Sequence, residues 1–200
     1  NRGPDHKAAQ RIALGDISVQ LLQSRLAIID LDPRSNQPFT IGDVTLIFNG
    51  EIYNYVELRE QLQKKGVVFN TTSDTEVLLQ SYLTYGEKCV ETFEGMWAFV
   101  LVDRRDNTVL LSRDRFGEKP LYYYRTADGF FFASEVKALS ALSGRRFEVN
   151  RDHILRYIVN GYKALYKAKQ TFFQDVSEVP SGTHVPLGKN ITQTYRRYWT

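Results

Sequence analysis

Four places along the chain carry side chains whose chemistry could converge on one small molecule. Asn49 stands before Gly50 at the end of the apolar run 44–48. Such a pair reads most simply as a turn or strand terminator. The sharper reading is that an Asn amide and a free backbone N–H at the end of a rigid strand aim two donors at one point, as a tetrahedral oxyanion requires. Glu51 follows at once; its plain reading is a solvated carboxylate where a helix begins, complementing the macrodipole. Arg25 interrupts the apolar stretch Ser24-Arg-Leu-Ala-Ile-Ile-Asp30. Exposed on an edge strand it would hold a salt bridge worth about 0–1 kcal/mol, but buried it needs a carboxylate, which a ligand can supply through a bidentate fork. Asp74 reads as an acid in the first turn of a helix. Pattern alone settles none of the four. Taken together they offer one guanidinium, an amide with a glycine N–H, and two acids. A free α-amino acid offers a carboxylate and an ammonium, and glutamine adds an amide carbonyl that becomes an oxyanion under attack.

The elements that must position these groups are legible in outline. Residues 17–30 and 44–49 are strand-like. Residues 52–65 carry Leu58 and Leu62 at helical spacing, closed by Gly66. Ser73-Asp-Thr-Glu76 has the form of a capping box ahead of Val77, Leu78 and Tyr82. Strand pairs 95–103 with 108–113, and 121–125 with 130–134, flank turn-forming residues and predict successive hairpins, hence a mostly antiparallel sheet. In Met96-Trp-Ala-Phe-Val-Leu-Val102 both alternating sets are apolar, so that strand is covered on both faces. With helices expected at 52–65, 74–85, 135–142 and 151–160, sheets are layered on each other and on helices.

Composition bounds the rest. The chain has 200 residues, a net charge of +3 with interspersed signs, and 42% hydrophobic residues, which fits a folded globular domain with no basic tract for nucleic acid. The longest apolar run, Met96 to Val102, is far short of the roughly 20 residues that span a bilayer, so no membrane partner is expected. A single cysteine, Cys89, excludes a disulfide framework and a multi-thiolate metal site, and fits a reducing, cytoplasmic setting. His6, His153 and His184 lack ligand spacing, so no metal is expected. Arg113 to Tyr124 mixes charges with tyrosines; an aromatic core strand is the commoner occurrence than a phosphate or nucleic-acid site. The opening Asn1-Arg-Gly-Pro-Asp5 is turn chemistry, and the aromatics of 195–199 would have little to pack against in a lone tail, so a fragment with further chain is expected.

Arg2-Gly-Pro-Asp5, Ser24-Arg-Leu-Ala-Ile28, Phe48-Asn-Gly-Glu-Ile-Tyr-Asn54, Ser73-Asp-Thr-Glu-Val77, Phe93-Glu-Gly-Met-Trp-Ala-Phe99, Arg113-Asp-Arg-Phe-Gly-Glu-Lys-Pro-Leu-Tyr-Tyr123 and Phe132-Ala-Ser-Glu-Val-Lys137 occur in order. This series resembles the signatures of the glutaminase domain of glutamine-hydrolysing asparagine synthetases, a class II amidotransferase of the N-terminal-nucleophile type. The resemblance implies an α+β fold, a four-layer αββα sandwich of two mostly antiparallel sheets, with residues 1–189 as the amidotransferase domain and 190–200 as the start of a connection to a synthetase domain. It implies that Arg25 holds the glutamine α-carboxylate, that Asn49 and the Gly50 N–H form the oxyanion hole, and that Glu51 and Asp74 hold the α-amino group. The family's nucleophile is a cysteine at the mature N-terminus, and this chain opens inside a later motif, so the piece as given is expected to be inactive; Cys89 reads as a packing thiol. Asn1 stands where the family usually has His. No cofactor is expected here. ATP and Mg²⁺, with aspartate, belong to the synthetase domain, to which ammonia would travel inside the protein. The resemblance admits a homodimer. Relatives that amidate sugars or act in peptide and β-lactam biosynthesis, and a non-catalytic scaffold, remain the alternatives.

Overall fold

The computed structural model describes residues 3–162, 170–187 and 194–200. The Asn1 and Arg2 positions and the expected domain boundary at 189/190 lie outside the described residues.

Strands β1 (His6–Leu14) and β2 (Ile17–Arg25) form a hairpin. β3 (Phe39–Ile41), β4 (Val44–Ile52), β5 (Gly95–Asp103), β6 (Thr108–Arg113), β10 (Thr183–Leu187) and β11 (Arg196–Arg197) make a six-stranded sheet in the order β11-β10-β6-β5-β4-β3. β7 (Tyr122–Arg125), β8 (Phe130–Ala133) and β9 (Ser177–Glu178) make a third, in the order β8-β7-β9. Every pairing among the described strands is antiparallel. The helices are α1 (Tyr55–Lys64), α2 (Asp74–Tyr85), α3 (Val136–Ser143) and α4 (Arg151–Asn160).

Side-chain alternation sorts the core into layers. Val44, Leu46, Phe48 and Ile52 of β4 and Trp97, Phe99 and Leu101 of β5 face α1 and α2 in one apolar cluster. Ala98, Val100 and Val102 point the other way, with Ile47, onto β2, Leu121 and Val179. A third cluster joins Tyr124 of β7 to Leu139 of α3. The result is helix, sheet, sheet, helix, the αββα sandwich expected, with the second sheet layer in two pieces. Trp97, Phe93 and Phe99 are essentially fully buried, each contributing on the order of 1.5–3 kcal/mol.

Four expectations are corrected. Strand β2 stops at Arg25 rather than Asp30: Asp5 takes the Ala27 N–H, and Asp30 adopts φ 58°, so the chain curls away as a loop. Asn49-Gly50 is no terminator; β4 runs through it to Ile52, and α1 starts only at Tyr55. Glu51 is therefore a strand residue. The capping box is half formed: Ser73 Oγ accepts from the Glu76 N–H, but the Glu76 carboxylate turns back to the Asn70 and Thr71 N–H groups. The aromatics near residue 200 do find partners, Tyr198 stacking on Trp97 and Trp199 lying against the Arg115 guanidinium at 4.2 Å. The β1 strand has no counterpart in the sequence reading.

Candidate active site

Arg25, Asn49, Gly50, Glu51 and Asp74 all line one cavity of about 1370 Å³, which opens between the sheets and continues past Phe130, Phe132 and Leu187. Arg25 and Asp74 lie far in sequence from the consecutive Asn49, Gly50 and Glu51; three features of the fold bring them together.

The first is the open edge of β4. β3 covers only residues 44–46, leaving the later N–H groups on that side without a neighbouring strand. Opposite Gly50, Trp97 donates its N–H to Asp114 Oδ2 (3.2 Å) and accepts the Asp114 N–H (2.9 Å), so its backbone faces β6 and its pairing with Gly50 is of the non-hydrogen-bonded kind. By alternation the N–H groups of 48, 50 and 52 then point out of the open edge. Phe48 donates to Gln37 Oε1 (2.6 Å) and Ile52 to Asp74 Oδ2 (3.1 Å). The Gly50 N–H between them has no partner among the described residues. Glycine is required at 50 because a Cβ there would lie 2.1 Å from the Met96 carbonyl oxygen and 2.7 Å from Trp97 Cα.

The second is the Asn49 side chain on the inter-sheet face. Its Nδ2 is buried and makes no hydrogen bond with the described residues. A buried, unsatisfied donor costs about 1–3 kcal/mol, so it points to a ligand acceptor. Glu51, two residues on and on the same face, makes no hydrogen bond or ion pair with the described residues.

The third is the loop from 26 to 37. Arg25 is buried, and its guanidinium donates to Asp30 O (2.5 Å), Asn36 Oδ1 (2.9 Å), Ile29 O (3.3 Å) and Asp32 O (3.5 Å). No carboxylate among the described residues neutralises it. Asp30 ties this loop to the turn before α2, accepting from the Asp32 and Thr72 N–H groups and the Ser35 hydroxyl. Burial pushes the Asp30 carboxyl up, but these donors outweigh it and hold it at about 2. A depressed acid stabilises the fold above its ordinary value of 3.8 and loses that contribution as pH falls towards 2. An acid titration of stability should therefore steepen between about pH 4 and 2, and Asp30→Asn should flatten it.

Asp74, at the first position of α2, is buried. Burial raises its carboxyl to about 6 despite the Ile52 and Thr75 N–H groups, and the neighbouring charge of Glu51 adds to the rise. Two acids held close, one with a raised pKa, form a place where a cation is wanted. Sequence reasoning missed Gln37 and Asp114; the latter is fully buried and gathers the N–H groups of Trp97, Phe116, Glu118 and Lys119, holding the end of β5 opposite Gly50. Its only signal was an acid in the charged stretch 113–119.

A family model for the glutamine amidotransferase domain matches residues 1–199. The chain belongs to that family. This amidotransferase domain is 45% identical over 177 residues to asparagine synthetase [glutamine-hydrolyzing] 1 of Bacillus subtilis, covering 88% of the chain and 27% of that protein. It is 47% identical over 171 residues to asparagine synthetase [glutamine-hydrolyzing] 3 of Arabidopsis thaliana, covering 84% and 28%. The domain thus spans little more than a quarter of the length of these relatives. The solved structure of glutamine phosphoribosylpyrophosphate amidotransferase from B. subtilis, complexed with ADP and GMP, shares its fold, with a TM-score of 0.63 at 21% identity over 90% of this chain and 34% of that one.

Within the amidotransferase domain Cys89 is fully buried in the cluster beneath α2, on the opposite face of the sheet from Asn49, and burial pushes its thiol far up. Such a thiol is inert as a nucleophile. His153 packs edge-on against Phe172, and His184 lies 3.2 Å from Glu87; among the described residues no group of three or more His, Cys, Asp or Glu is placed to hold a metal ion. No helix among them is long and apolar enough to cross a membrane.

Proposed function

We propose that the cavity binds glutamine and that the domain is the glutamine-hydrolysing part of an asparagine synthetase. The observation that carries this reading is the buried, unpartnered Asn49 Nδ2 beside the free Gly50 N–H, in a cavity that also holds Arg25, Glu51 and Asp74. Arg25 takes the α-carboxylate. Its four present acceptors include two long ones, Ile29 O and Asp32 O, which the carboxylate replaces. Glu51 and Asp74 take the α-ammonium. The side-chain amide carbonyl then lies at Asn49 and Gly50.

The nucleophile in this reading is the cysteine thiolate that the resemblance places at the family's mature N-terminus; Cys89, sealed in the core, does not serve. The cysteine's own α-amino group, the base by the resemblance, takes the thiol proton; the thiolate adds to the amide carbon, the oxyanion is held by the Asn49 and Gly50 donors, and the C–N bond breaks as nitrogen takes that proton and leaves as ammonia. Water then cleaves the thioester, giving glutamate and the free thiol. ATP, Mg²⁺ and aspartate enter through a further domain, and no residue of this chain is assigned to them. The reading includes a cytoplasmic enzyme and a homodimer. Formation of glutamate from glutamine, and of asparagine when aspartate and ATP are added, tests it on the full-length polypeptide; glutamate formation without asparagine would move the acceptor to another class.

Asp74 makes the binding step proton-linked. A carboxyl at about 6 is largely neutral at pH 5 and holds an ammonium poorly. Because its folded value lies above 3.8, the free domain loses stability as pH rises from about 4 to 6, and a bound ammonium offsets that loss. Glutamine affinity should therefore rise with pH through about 6 and level off above 7, with proton release measurable by calorimetry in buffers of different ionisation enthalpy. Asp74→Asn should bind weakly at every pH and release no proton.

A further inference from the structure

We infer that Gln37 is a positioning residue for the oxyanion donors: with Asp74 it closes the open edge of β4 on either side of Gly50, leaving a single main-chain N–H presented to the substrate carbonyl. The inference rests on the proposed role of Asn49 and Gly50.

Gln37 is buried, 5% exposed, and lines the cavity. Its Oε1 accepts the Phe48 N–H at 2.6 Å, and its Nε2 donates to Thr75 Oγ1 at 3.4 Å, so one side chain touches the residue before Asn49 and the residue after Asp74. From β2, Gln23 Nε2 donates to the Phe48 carbonyl at 3.3 Å. Both polar groups of the Phe48 backbone are thus satisfied by glutamine side chains where a sheet would ordinarily supply a strand. The need is physical. β4 loses β3 after Leu46, and the next residues include a glycine, the residue with most backbone freedom. A bare strand edge also invites water or another strand onto its N–H groups. Braces at 48 and 52 hold the peptide planes on both sides of Gly50, while the N–H at 50, about 7 Å along the edge from that of Phe48, stays open. An oxyanion hole works through donors fixed before the charge develops, and a displacement of about 1 Å can lower a rate by about 10²-fold.

Amide exchange on the full-length protein reads the brace directly. Phe48 and Ile52 should exchange at least about 10-fold more slowly than Gly50, and Gln37→Met should speed Phe48 by about 10-fold or more. Steady-state glutamine hydrolysis reads the consequence. Gln37→Met should lower kcat by about 10-fold or more with KM within about threefold, because Arg25, Glu51 and Asp74 are untouched. Gln37→Glu keeps the acceptor for Phe48 and can take the Thr75 hydroxyl as donor, so it should restore kcat to within about threefold of wild type. The inference is overturned by Phe48 exchanging as fast as Gly50 in the wild type, by an unchanged kcat in Gln37→Met, by a rise in KM alone, or by Gln37→Glu faring no better than Gln37→Met. The wild-type exchange pattern decides the matter if Gln37→Met does not fold. Failure of the underlying reading has a separate signature: a wild-type protein that releases no glutamate from glutamine, or an Asn49→Ala variant of full activity.

Discussion

On the proposed reading, Asn49→Ala should lower kcat for glutamine hydrolysis by about 10²–10³ in the full-length protein, the loss of roughly 2.7–4 kcal/mol that follows removal of one oxyanion donor. The fold should tolerate the change. Asn49 Nδ2 has no hydrogen bond to lose among the described residues, and removing a buried unsatisfied donor relieves the protein of its desolvation cost, so stability should hold or rise slightly. That pairing of outcomes, a large kinetic loss with an unchanged or raised melting temperature, separates a catalytic donor from a structural one. KM should move little, since the proposed carboxylate and ammonium partners, Arg25, Glu51 and Asp74, stay in place. Asn49→Asp is a harsher test at the same shape: an ionised carboxylate offers no donor and would meet the oxyanion with like charge. It should therefore be no faster than Asn49→Ala. A kcat within a few-fold of wild type for Asn49→Ala, measured as glutamate released, would withdraw the oxyanion role from this residue.

Why the site was partly legible follows from what each signal measures. The apolar runs of β4 and β5 fixed both strands and their double coverage, because side-chain alternation depends only on which faces are buried. Asp74 was legible as a first-turn acid from the Ser73 cap. That its carboxylate instead reaches across to the Ile52 N–H is a tertiary fact with no local trace. The Asn49-Gly50 pair misled as a turn because its preference is a statement about backbone freedom, and the same freedom serves a strand where another backbone approaches too closely for a Cβ. Strand β1 gives little sequence signal because its exposed face alternates small and polar residues, leaving only Ile12 and Leu14 deeply buried. The loop after Arg25 reads as strand for the opposite reason: Leu26 and Ile28 are apolar yet exposed, so hydrophobicity there marks the cavity rim rather than a core. Gln37 gave no signal at all, since a lone glutamine in a loop carries neither period nor charge.

The largest structural effect should come from Gly50→Ala. An alanine Cβ would sit 2.1 Å from Met96 O, 2.7 Å from Trp97 Cα and 2.9 Å from Phe48 Cε2. Two of these neighbours are backbone of β5, which cannot swing aside as a side-chain tip can, and Trp97 is locked from behind through Asp114. Overpacking in a well-filled core typically costs 1–3 kcal/mol, and a clash with fixed backbone belongs at or above the upper end, so about 3–5 kcal/mol is expected. For a domain of this size that corresponds to a fall of roughly 6–20 °C in Tm. Gly95 is the mirror of the same contact: a Cβ there would lie 2.1 Å from Glu51 O, so Gly95→Ala should be comparably damaging. Gly129→Ala serves as the control, because a Cβ there meets only Phe131 ring atoms at 3.6 and 3.8 Å, ordinary contacts, and Tm should shift little. Activity separates the two consequences of Gly50→Ala. Any folded fraction must widen the β4–β5 spacing at residues 50 and 97, which swings the 49–50 peptide and turns its N–H off the proposed oxyanion position. The folded fraction should therefore lose kcat by about 10²-fold or more per active site, the loss expected of an oxyanion donor. A Gly50→Ala protein with wild-type melting and wild-type kcat would mean that β5 does not approach β4 as described, and the geometric basis of the site would go with it.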